Sequence, residues 1–80
     1  MITRTAAATT AARLLYLRFN DAIRNSRPLP EQSATHFWNP VHGEGSVIIG
    51  TDGSYLCADS SIPLDQHLVA FAAGRRSAVA

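Results

Sequence analysis

The sequence predicts an α+β fold of the order α-β-β-β-α. A three-stranded antiparallel meander packs against an N-terminal and a C-terminal helix. Three observations carry this. Gly45–Asp59 holds two short runs rich in β-branched and aromatic residues, Val47–Ile49 and Tyr55–Cys57, around Thr51-Asp52-Gly53-Ser54. Asp-Gly between such runs is a strong hairpin signal, because a type I′ turn needs positive φ at both central positions. Apolar residues recur at helical spacing before residue 25, and Ser60 to Gly74 carries start and stop signals of a second helix.

The first helix is expected over 5–25. Ala8, Ala11, Ala12, Leu15, Phe19, Ala22 and Ile23 fall on one side at 100° per residue. The alanines allow close approach to a sheet, and Phe19 and Ile23 fill volume. Arg13, Asn20, Arg24 and Arg27 fall on the opposite side, with Leu17 among them as an exposed apolar residue. Asp21, three residues from both Arg18 and Arg24, supports the helix. Residues 1–20 are also rich in Arg, Ala and Thr and free of acids, as a targeting segment would be. Removing them would leave too little chain for a comfortable core, which favours the helix.

Pro28 and Pro30 end that helix, and Ser26–Ser33 reads as a stiff connector. Strands follow at 34–38, 46–50 and 54–58. With Asp52-Gly53 as a two-residue loop, Ile49 pairs with Leu56, Ile48 with Cys57 and Val47 with Ala58. The last helix spans 62–73, with a serine as its cap, Pro63 in its first turn and Asp65 at the positive end of its dipole. Leu64, Leu68, Phe71 and Ala72 form its buried stripe, Gly74 ends it, and 77–80 is a frayed tail. The whole chain, 1–80, reads as a single small domain.

An apolar fraction of 46% argues against disorder. No apolar run approaches the length of a membrane span. The single cysteine, Cys57, excludes an internal disulfide and fits a cytoplasmic compartment. A net charge of +1 conceals a division: residues 1–30 hold five arginines and one acid, whereas 31–74 hold five acids and no Lys or Arg. Either the halves neutralise each other within the fold, or one signed surface meets a partner.

Motifs for chemistry are sparse. His36, His42, His67, Cys57 and Asp59 are metal-ligand types, but the nearest pair, His36 and His42, lacks the close spacing of a structural zinc site. Cys57 lies within a strand, where a thiol acts as a small apolar side chain unless something depresses its pKa. The glycine-rich pieces do not open a helix as a phosphate loop does. The expectation is therefore no catalytic residues, no metal and no cofactor. Trp38 and Tyr55 read as packing residues, or as interface anchors if exposed.

What remains is binding. The leading expectation is a non-catalytic protein-interaction module, an inhibitor or adaptor that occupies a surface of a larger protein or nucleoprotein complex. In size and layout, over the whole chain and through no motif, it resembles the small self-contained inhibitors of phages and mobile elements, such as anti-CRISPR proteins. That resemblance implies that acidic loops at Glu44, Asp52 and Asp59 stand in for nucleic-acid phosphates. Two alternatives stand beside it: nucleic-acid binding through Arg13, Arg24 and Arg27, and a homo-oligomer joined through an exposed sheet face or Leu17.

Overall fold

The computed structural model describes residues 2–41 and 45–77. The expected first helix is two. Helix α1 runs Arg4–Leu15, opened by Thr3, whose hydroxyl accepts the Ala6 N–H at 3.1 Å. It ends at Tyr16, which adopts the left-handed conformation at φ 57° while the Tyr16 and Leu17 N–H groups both return to the Ala12 carbonyl. Helix α2 covers Phe19–Arg24. The break corrects two placements: Leu17 turns inward and is half-buried against the core, whereas Phe19 is partly exposed.

The expected connector holds a strand. β1 is Ser26–Leu29, joined by the 3-10 turn Pro30–Gln32 to β2, Ala34–Trp38. β3 is Ser46–Gly50 and β4 is Tyr55–Ala58. The sheet is therefore a four-stranded antiparallel meander in the order β1-β2-β3-β4. Pro28 is tolerated because β1 is an edge. Trp38 N–H donates to the Asn25 carbonyl at 3.1 Å, which turns Arg27 and Leu29 toward β2 and leaves Pro28, without an N–H, facing outward.

The hairpin register is one residue away from the expected one. Ile49 faces Tyr55, Ile48 faces Leu56 and Val47 faces Cys57. The loop is Thr51-Asp52-Gly53, closed by Gly53 N–H to the Gly50 carbonyl at 3.0 Å and by Gly50 N–H to the Ser54 carbonyl at 2.8 Å. Gly53 takes φ 89°, the left-handed position of a three-residue hairpin loop. A one-residue slip exchanges faces along one strand relative to the other. Tyr55 thus joins Val47 and Ile49, and Leu56 joins Ile48.

Each face of the sheet has its own helical layer. Phe37, Val47 and Ile49 pack under Ala7, Ala8, Ala11, Leu15 and Ala22 of α1 and α2. Ala34 and Ile48 on the other face pack against Phe71 of α3, Leu64–Ala72, with Leu29, Leu56 and Leu68 around them. No serine caps α3: its flanking residue is Pro63, and Ser61 bonds to Asp59 instead. Beyond Gly74 the chain is pinned. Arg76 donates to Ser54 Oγ and to the Phe71 carbonyl, each at 2.8 Å, and lies 3.6 Å from the Phe71 ring centre. Ser77, expected to fray, donates its N–H to the Tyr55 carbonyl at 2.7 Å and accepts the Cys57 N–H at 2.9 Å. The tail thereby covers the β4 edge. Residues 78–80 lie outside the described residues. No described helix is long and apolar enough to cross a membrane.

Candidate functional site

β2 alternates its side chains, so His36 and Trp38 share the α3 side of the sheet. Their rings stack with centroids 5.3 Å apart and planes at 30°. His67 meets them from α3. It belongs to the stripe Leu64, His67, Leu68 and Phe71, and is only 2% exposed. Its Nε2 lies 2.7 Å from the Leu56 carbonyl oxygen. A carbonyl only accepts, so Nε2 carries a hydrogen and donates it. Ser46 Oγ stands 3.4 Å from Nδ1 of the same ring.

These residues border a groove of about 270 Å³ between the β2 and β3 ends and the β4–α3 loop. His36, Trp38 and Ser46 line its inner part, with Asp59 beside them, and Val41, Ile62 and Leu64 form an apolar rim. Those three are exposed, Val41 to 61%. Residues 42–44, between Val41 and Gly45, lie outside the described residues, so His42 and Glu44 have no placement here.

Burial, chiefly, lowers the His36 pKa from 6.5 to about 4, with the neighbouring His67 and Arg27 adding to the shift. His36 is thus a neutral ring at neutral pH. Hydrogen bonds from Ser54 and Ser61 hold Asp52 and Asp59 below the usual carboxylate range. Desolvation pushes the Cys57 thiol up, the reverse of what a nucleophile needs. No group of three or more His, Cys, Asp or Glu side chains among the described residues is disposed to hold a metal ion.

The residues singled out in the sequence do not converge. Arg13 and Arg24 are exposed on the α1 and α2 layer, and Arg24 lies 3.7 Å from Asp21. Arg27 sits opposite His36 in the β1–β2 ladder, which places it on the α3 side of the sheet. Asp52 and Asp59 stand at opposite ends of β4, roughly 20 Å apart at the rise of a strand. Leu17 is packed inward. The groove was missed because no spacing relates residue 36 to residue 67. Position 67 does continue the helical stripe of Leu64, Leu68 and Phe71, and that was the available signal.

Comparison with protein-family models, with curated proteins and with solved structures returned no match.

Proposed function

We propose that the protein is a non-catalytic binding module whose groove at His36 and Trp38 receives an apolar segment of a larger protein. One observation carries this reading. Val41 after β2 and Ile62 and Leu64 at the start of α3, three exposed aliphatic residues from two segments of the chain, line the groove with a half-buried tryptophan already stacked on a neutral imidazole. A rim of water-excluding contacts around an aromatic anchor is how binding energy concentrates in protein interfaces. An inhibitor that occupies its target's surface, of the phage kind that the chain resembles in size and layout, is one form such a module takes. The separation of Asp52 and Asp59 disfavours phosphate mimicry as its mechanism.

The Ser46–His67 pair supports a structural role over catalysis. Its 3.4 Å separation exceeds the reach of efficient proton transfer, and His67 is enclosed between strands and helix. The splitting of the arginines between two sides of the sheet weighs against the Arg13, Arg24 and Arg27 nucleic-acid face.

The test is affinity capture after nuclease treatment, comparing wild type, Ile62→Asp/Leu64→Asp and Arg13→Glu/Arg24→Glu. A partner held by wild type and by the arginine variant, and lost from the rim variant with its circular dichroism unchanged, is the expected result. A partner held by the rim variant overturns the groove as the binding surface.

A further inference from the structure

The break between α1 and α2 turns an aromatic ring into solvent. Tyr16 occupies a left-handed position that helix ends ordinarily give to glycine, and its side chain is 87% exposed. The ring therefore packs against nothing that could repay its place. Phe19, three residues on, is also exposed. Arg13 precedes Tyr16 by one helical turn and Arg18 follows it by two residues; both are exposed and neither has an ion-pair partner among the described residues. The only acid in residues 1–30, Asp21, lies beside Arg24. Thr5, Thr9 and Arg13 fall on one exposed stripe of α1, about 12 Å long at 1.5 Å per residue, and Tyr16 follows at its C-terminal end.

We propose that this stripe and the helix break bind single-stranded nucleic acid, a surface and a partner separate from the groove and its protein ligand. Bases stack on Tyr16 and Phe19, and Arg13 and Arg18 meet the phosphates. Two observations select this occupant. The surface joins unpaired guanidinium groups to exposed aromatic rings, the combination that holds single strands through backbone charge and sequence-tolerant stacking. The aliphatic side of α1 is spent on the sheet, which leaves threonine and arginine outside and no apolar face for a lipid surface. A duplex keeps its bases stacked inside and would leave both rings unused.

The test is fluorescence anisotropy with labelled oligo-dT, oligo-U and a duplex of matched length across a salt series, with anionic phosphatidylglycerol vesicles as a further arm. Tyr16→Gly removes the ring while supplying the residue that the left-handed position favours, so the fold is kept. Single strands of one or both sugars are expected to bind more tightly than duplex. Tyr16→Gly is expected to weaken them about tenfold. Arg13→Gln/Arg18→Gln is expected to flatten the slope of log affinity against log salt by about 1.4, and Ile62→Asp to change nothing. No oligonucleotide binding at low salt, equal or tighter duplex binding, vesicle binding alone, or an unaffected Tyr16→Gly each overturn the proposal.

Discussion

The ring of His67 stands edge-on to that of His36, with centroids 5.9 Å apart and planes at 83°. This contact joins β2 to α3 at the inner side of the groove. It seats His36, whose charged form burial disfavours, between the sheet and the last helix.

Acid should therefore loosen the α3 side first. His36 has a folded pKa of about 4 against 6.5 for the free side chain. The unfolded chain takes up the proton earlier, so stability is complete above the unfolded pKa and falls as pH drops from about 6.5 toward 4. Arg27 and His67 repel the incoming charge, and the groove's Asp59 is occupied by Ser61. Urea denaturation at pH 7 and pH 5 should differ by about 1–2 kcal/mol, with little change between pH 7 and pH 8. His36→Leu should remove most of that difference. Asp52 and Asp59, held below the ordinary carboxylate range, lose their contribution only at lower pH, so the two windows separate.

Entry into β3 depends on Gly45. It takes φ 86°, and a Cβ there would lie 2.6 Å from the Ala58 carbonyl oxygen and 3.4 Å from the Asp59 Cα. Both obstacles are backbone and neither can swing aside. Gly45→Ala should cost about 2–4 kcal/mol by chemical denaturation. Gly74→Ala, at φ 93° with nothing within 4 Å of the added atom, should cost only the backbone penalty, about 1 kcal/mol. Equal effects at the two positions would rule out the crowding at Gly45.

The C-terminal segment acts as a clasp on β4. Ser77 takes up the Tyr55 carbonyl and the Cys57 N–H, two groups that face away from β3. Ser77→Ala should raise the hydrogen-exchange rate of the Cys57 amide about fivefold while the Ile48 amide stays slow, since a net hydrogen bond contributes about 1 kcal/mol. Loss of the Arg76 guanidinium, which bridges Ser54, the Phe71 carbonyl and the Phe71 ring, should release the whole clasp and speed exchange at the Ser77 amide, which donates to the Tyr55 carbonyl, as well.

Particular residues decide how much of this was legible. Val47–Ile49, Tyr55–Cys57 and the Asp-Gly between them announced the hairpin, and Leu64, Leu68 and Phe71 announced the last helix. The break at Tyr16 was hidden because neither glycine nor proline marks it, and Ala8, Ala11, Leu15, Phe19 and Ala22 keep helical spacing across it. β1 was hidden by Pro28, which forbids a central strand and permits an edge one. The loop length could not be chosen from Asp52-Gly53 alone, since glycine serves two-residue and three-residue hairpins equally. That one choice reversed the faces of Tyr55 and Leu56. The imidazole pair depends on the sheet being covered from both sides, a tertiary outcome that no local pattern encodes.

Trp38 is the chain's only tryptophan and forms part of the groove, so it reports directly on the proposed binding. Labelled with 5-fluorotryptophan, the protein should give one fluorine resonance. Titration with the captured partner should shift or broaden it in step with binding measured independently, and Ile62→Asp/Leu64→Asp should abolish both. A partner that binds while the Trp38 resonance stays unchanged would contradict the account.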